Sequence, residues 1–323
     1  MENPLPRFLS CLLPTLLLLI SGSAYAGDCP SGTTQQVDNK DGKKTVSCLD
    51  PEGKKQGNET WWYANGQKAW EGEYRDGELN GPWAEWYENS QKGAKGTYRA
   101  GRKHGKETSW HENGQKSSES EWTEGRENGK RIWWHETGQK MSDGEYRDDK
   151  EHGPWTYWHV NGNTERVGEY RDDKEHGHWT YWHENGQKAS EGAFLKGKGH
   201  GLWITWYENG KKQKEGVLQQ DLQQGVWTHW HENGNKRKQE EYVDGKLHGP
   251  WTRWYEDGKK EVEYVYRDGK EHGKMVWWHV NGQMSRQGTY RQGRLHGKRT
   301  EWDWRGDLVS VEECNMGRCK PSQ

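Results

Sequence analysis

The stretch Gly177-His178-Trp179-Thr180-Tyr181-Trp182-His183-Glu184-Asn185-Gly186-Gln187-Lys188 decides the fold. It holds a short aromatic run, then an Asn-Gly pair, then a charged restart. Twenty-four residues earlier the same order returns as Gly153-Pro154-Trp155-Thr156-Tyr157-Trp158-His159-Val160-Asn161-Gly162. Read outward from there, Gly57 recurs as Gly81, Gly105, Gly129, Gly153, Gly177, Gly201, Gly225, Gly249, Gly273 and Gly297, eleven copies at a period of 24. Trp62 recurs in the same phase as Trp86, Trp110, Trp134, Trp158, Trp182, Trp206, Trp230, Trp254, Trp278 and Trp302. Twelve residues after each Trp comes an aromatic or large residue, from Tyr74 and Tyr98 to Phe194, Leu218 and Tyr290, with Cys314 closing the series. A fixed period of this length is the mark of a repeat array.

Each unit carries two turn signals half a period apart, such as Asn65-Gly66 and Asp76-Gly77, both suited to hairpins. The segments between them are short and rich in Trp and Tyr, as strands are. The chain is therefore expected to be all-β, an elongated antiparallel meander of tandem 24-residue β-hairpin repeats, with roughly 22 to 24 strands extending on the order of 100 Å. A parallel solenoid would need continuous Val, Ile and Leu runs, and hydrophobic residues make up only 28% of the chain. Disorder does not fit either, because 23 Trp and 15 Tyr accompany a net charge of only -2. That balance also gives no reason to expect nucleic acid as a partner.

The division expected is a secretory signal peptide at 1–26, an N-terminal cap with a decayed repeat at 27–56, ten tandem repeats at 57–296, and a last repeat with a C-terminal cap at 297–323. The leader has Arg7, an apolar Leu12 to Ile20 run, and Ala24-Tyr25-Ala26 as a small-x-small site, so cleavage after Ala26 and a periplasmic or secreted chain are expected. No later segment is apolar enough to span a membrane, and near-zero net charge with no basic amphipathic segment argues against a membrane-surface role. Four cysteines then remain, Cys29, Cys48, Cys314 and Cys319. An exported chain favours disulfides; Cys29 with Cys48 and Cys314 with Cys319 is the local solution among three possible pairings.

The repeat unit, with Gly-His-Trp-Thr-Tyr-Trp-His-Glu-Asn-Gly-Gln-Lys at 177–188 followed by Glu191-Gly192 and Phe194, resembles the MORN-repeat variant family of YwqK-like antitoxin-repeat proteins. The resemblance covers roughly 33–319. It implies elongated β-hairpin arrays used for binding or assembly, sometimes at membranes or against a partner toxin, and it implies no catalytic residues. An export signal sits poorly with a cytoplasmic antitoxin.

Strand alternation divides the aromatics between two faces. The invariant Trp62 to Trp302 series is expected to form the structural core, packed against the Tyr74 series. Three residues earlier a second series reads Glu59, Trp83, Glu107, Arg131, Trp155, Trp179, Trp203, Trp227, Trp251, Met275 and Arg299. Its Glu and Arg members suggest a face that meets water. Trp155, Trp179, Trp203, Trp227 and Trp251 would then make an exposed stripe on the order of 40 Å long, a candidate binding site. The plainer reading has these Trp covering the second face against glycines, and a bulge at the repeat Gly would bring both series to one face.

The fifteen His fall at few repeat positions. Equivalent His stand about 9.6 Å apart, too far to share one metal ion, so no metal is expected; their number makes net charge sensitive to mild acidity. Any carboxylate pair is copied many times, whereas catalysis uses one distinctive constellation. The function expected is a non-enzymatic, cofactor-free exported scaffold that binds a protein partner through its aromatic sheet face. The alternatives are an array binding polymeric cell-wall glycan on the Trp155 to Trp251 stripe, or an immunity-like neutraliser of a secreted toxin.

Overall fold

A computed structural model of the chain describes residues 29–322. All its regular structure is β: 28 strands form one antiparallel sheet. Each strand pairs with its sequence neighbour, and all substantial contacts join strands adjacent in the chain. Three strands are interrupted, at His104, His272 and His296, which with the two strands before the first full unit and the one after the last accounts for the excess over two strands per unit. Among the described residues no helix is long and apolar enough to cross a membrane.

One unit shows how the sequence produces this. Strand Lys150–Trp158 runs into the turn at Asn161-Gly162, returns as Thr164–Arg171, turns at Asp172-Asp173, and leaves as Lys174–Trp182. The two turns differ in kind. At Asp172 and Asp173 both residues have positive φ, 51° and 63°, the paired left-handed geometry of a two-residue hairpin. At Asn161-Gly162 only the Gly is left-handed, at 87°. There the Gly162 N–H donates to the His159 carbonyl and the His159 N–H to the Asn163 carbonyl. This is a type I turn closed by a left-handed Gly, and Asn161 works through its side chain, accepting from the Asn163 N–H at 2.9 Å.

Both hairpins are bulged. Tyr157 pairs with Arg166 but Trp158 pairs with Thr164. On the other side, Asp143 pairs with Thr156 while Glu145 pairs with His152, so Gly153, Pro154 and Trp155 together oppose Gly144. Gly153 takes φ 73° there, a conformation a side chain would strain. Such bulges bend a strand and increase its twist. Trp155 and Trp158 lie in one regular run, so they remain on opposite faces; the bulge does not merge the two series.

Each end of the sheet carries a local disulfide. Cys29 is bonded to Cys48, and Cys314 to Cys319. Strands Thr34–Lys40 and Lys43–Leu49 precede the first full unit, and Arg318–Pro321 closes the last edge. The expected leader at 1–26 lies outside the described residues.

Candidate functional site

The second Trp series is the core, a correction to the expected stripe. Trp155, Trp179 and Trp227 are 1%, 0% and 2% exposed; Trp203 and Trp251 are half-buried. The cause is the glycine of the neighbouring strand. A Cβ on Gly144 would stand 2.1 Å from the Trp155 ring, and one on Gly168 would stand 2.1 Å from Trp179. Gly192 and Gly216 receive Trp203 and Trp227 in the same way. Each indole thus lies flat on backbone, and the Tyr74-type residues close its edges. Tyr146, Trp155, Tyr170, Trp179, Phe194 and Trp203 alternate across six strands with centroids 5.0–6.4 Å apart, mostly edge to face. Pairs of this geometry stabilise beyond the area they bury.

The Glu and Arg members of the series are buried or half-buried and ion-paired. Glu59 is 3% exposed and accepts from Lys55 at 2.6 Å. Glu107 pairs with Lys103 at 2.6 Å, Arg131 with Glu127, and Arg299 with Glu312 at 3.1 Å. Charge in this slot signals a buried ion pair in place of a ring. Burial also governs the tyrosines: it pushes Tyr74 and Tyr146 up to about 12, assisted by Glu59 and by Glu151 respectively. Where the slot glycine is replaced by Glu240, burial opposes ionisation, yet His229 and Lys238 outweigh it and hold this carboxyl down at about 2.

The Trp62 series, expected as the core, occupies the outer face and is half-buried throughout. It does not stack on the Tyr74 series. Its partners are lysines. Lys44 lies over Trp62 at 5.2 Å, Lys68 over Trp86 at 5.1 Å, and Lys92, Lys116 and Lys140 over Trp110, Trp134 and Trp158 at 5.5–5.9 Å. Lys188, Lys212, Lys236 and Lys260 repeat the contact on Trp206, Trp230, Trp254 and Trp278. Thr164 and Met284 break the row before Trp182 and Trp302. The signal was legible: Lys stands six residues after nearly every Trp of the series.

All but one of the His that follow a Trp of this series are structural, His135 being the exception, with its Nε2 buried and unpartnered. His111, His159, His183, His231 and His279 each place Nε2 2.9–3.2 Å from the Trp carbonyl of the next unit. Tyr63, Tyr87, Tyr207 and Tyr255 donate their hydroxyls to the equivalent carbonyls at 2.7–2.8 Å. Asn113 and its counterparts donate to the next unit's Glu carbonyl beside this ladder. Among the described residues the one cluster with metal-ligand character is Glu312, Cys314 and Cys319, whose two sulfurs are joined as a disulfide.

The outer face also carries aliphatic side chains. Leu202 is 56% exposed and faces Val217 directly across the strand pair; Val226, 51% exposed, follows on the next strand. Most units carry Glu or Thr where Val217 stands, and Pro or Lys are common where Leu202 stands.

The repeat geometry now has a counterpart among known families. The MORN repeat variant model matches six times, at residues 103–123, 127–148, 175–196, 199–219, 223–244 and 247–268. The chain belongs to the MORN repeat variant family. The matched segments fall on successive hairpins of the sheet, and the units outside them keep the same pairing. No curated protein matches. Among solved structures, the one titled "Crystal Structure of TcdB2-TccC3 without hypervariable C-terminal region" is 11% identical, with a TM-score of 0.18. The alignment covers 85% of this chain and 17% of that one, so this MORN array spans under a fifth of that structure's length. The two disulfides fit an oxidising compartment, extracellular or periplasmic.

Proposed function

We propose that the chain is an exported, non-enzymatic scaffold that binds a protein partner through the outer face of its sheet. The observation that carries this reading is the half-exposed Trp–Lys row, continued beside Leu202, Val217 and Val226 by exposed aliphatic surface. Aromatic and aliphatic side chains that share one face of a long sheet offer the anchors protein interfaces use. Every rung repeats its neighbour, which suits a partner that contacts several units at once. The leader read at 1–26 and the two disulfides support delivery outside the cytoplasm. The inner face, closed by the Trp155 series, is not available to any ligand of comparable length.

Photo-crosslinking in cells tests the reading. A benzophenone amino acid at Leu202 or Val226 is expected to give one discrete protein adduct, and the same probe at Val160, exposed at a turn, is expected to give none. The adduct from Val226 is expected to vanish when Leu202 and Val217 are changed to Glu. Adducts that ignore the face of the probe, or no adduct from the outer face, overturn the proposal.

A further inference from the structure

The first full unit carries a cleft that a later unit repeats in outline, with Thr205 where Trp61 stands. A cavity of about 610 Å³ opens over Trp61 and Trp70, within the size range of small-molecule sites. Its side chains form one row across five adjacent strands, fixed by the register: Asp38 opposite Thr45, Thr45 opposite Trp61, Trp61 opposite Trp70, and Trp70 opposite Glu85. A stacked pair of indoles thus stands at the middle of the row and a carboxylate at each end, about 19 Å apart at about 4.8 Å per strand. Lys40 and Lys43 line the rim.

A register shift sets this copy of the cleft apart. Between full units, Trp70 pairs with Glu85, which by the 24-residue period predicts Val46 opposite Trp61. The decayed N-terminal hairpin instead pairs Val46 with Thr60 and Thr45 with Trp61. A shift of one residue exchanges the faces of a strand. The small Thr45 therefore lies beside Trp61, and the indole stays 41% exposed, whereas Trp133 and Trp277 at the same repeat position are half-buried.

Trp61 and Trp70 lie 4.8 Å apart and within 32° of parallel. They do not form a box around a cation, which needs ring faces on several sides. Stacked on each other at that distance, they leave one free apolar face, that of the exposed Trp61 indole, with Asp38 and Glu85 as acceptors at the ends of the row and Lys40, Lys43 and Thr45 as donors. An apolar platform edged by hydroxyl-binding groups matches a pyranose ring, whose C–H face is flat and whose hydroxyls point outward in its plane. We propose that this cleft binds a short, flat, equatorially linked oligosaccharide, stacked on the free face of Trp61, which Trp70 backs, and held at its ends by Asp38 and Glu85. The site is separate from the outer face assigned to a protein partner.

Isothermal titration of the disulfide-intact protein with cellohexaose, chitohexaose and maltohexaose tests the proposal. Saturable binding of at least one β-linked hexasaccharide is expected. Trp61→Ala is expected to weaken it at least tenfold, with the double variant Asp38→Asn, Glu85→Gln weakening it while both rings remain. Trp304→Ala, at an exposed indole of the last unit (62%), is expected to leave it unchanged. Circular dichroism and retention of the Cys29–Cys48 bond establish that each variant is folded. Absence of binding to all three sugars, binding of maltohexaose alone, or binding that survives Trp61→Ala in the folded protein overturns the assignment.

Discussion

Substituting Gly168 by Ala isolates what holds the inner face together. Gly168 is not among the left-handed glycines, so a methyl group there carries no backbone penalty. It would also reduce the freedom of the unfolded chain, which by itself stabilises by about 0.4–1 kcal/mol. Against that, the new Cβ would stand 2.1 Å from Cδ2 of Trp179, a side chain with 0% exposure. Either the indole leaves its slot or the two strands separate. Overpacking costs about 1–3 kcal/mol, and loss of a buried Trp about 3–5 kcal/mol. The net expectation is a destabilisation of about 3 kcal/mol, read from urea unfolding and localised by hydrogen exchange to Lys150–Trp182. The decisive measurement is a double-mutant cycle with Trp179→Met. Met275 holds the same repeat position as Trp179, and in its unit the place of Gly168 is taken by Tyr264, so a thioether in this slot coexists with a side chain at the glycine position. In the Trp179→Met background Gly168→Ala should therefore cost less than about 1 kcal/mol, because the flexible thioether can move aside. Gly105→Ala serves as reference, since its Cβ would meet nothing but its φ is 75°, worth about 1–2 kcal/mol of strain. If Gly168→Ala costs no more than Gly105→Ala, or costs the same with and without Trp179→Met, the indole-on-glycine account is wrong.

Other outcomes follow from the same geometry. Trp179→Ala should lose about 4 kcal/mol and Trp182→Ala no more than about half of that, because only the first is fully buried; equal losses in urea unfolding would count against the assignment of faces. Removing Lys188 from above Trp206 should cost about 0.5–1 kcal/mol, since the ammonium is 42% exposed and already shared with Glu191. Glu240 has its folded pKa depressed to about 2 from 4.5, so the stability its ionised form contributes is fully present above pH 4.5 and lost as pH falls toward 2. The urea midpoints of the wild type and Glu240→Gln should accordingly converge over that interval; a constant gap would show that the carboxylate's charge is not what matters. Reducing the Cys29–Cys48 bond, which closes a loop with a sequence separation of 19, should lower the stability of the N-terminal cap by about 3 kcal/mol. Exchange of amides near Trp254 should not change.

The period, the hairpins and the local disulfide pairing were legible because each rests on local chemistry: Gly at left-handed positions, aromatic strands, and cysteines close in sequence. The assignment of faces was not. Glu59, Glu107 and Arg131 look like solvent-facing residues, and only their partners Lys55, Lys103 and Glu127, four residues away, reveal buried pairs. The invariance of Trp62 to Trp302 suggested a core, yet constancy here reflects a lysine and the next unit's hydrogen-bonded turn, not full burial. The glycines that receive Trp155 and Trp179 stand eleven residues before them, so the deciding contact lies between strands. The Trp61 cleft is set apart by a one-residue shift that the decayed hairpin takes against the period, and periodicity alone predicts the other register.

The ladder in which each Tyr or His reaches the Trp carbonyl of the next unit spans 23 residues, the longest interval among these ladder contacts. No part of the sheet waits for a distant segment. A chain of such low contact order forms its loops cheaply and quickly. It can therefore be assembled in the order it is delivered: threaded through a narrow channel end first, each hairpin finds its only required neighbour already in place. The Cys29–Cys48 clasp then acts as the fixed first course on which later ones are laid, and unravelling under tension is expected to run back unit by unit from the opposite end.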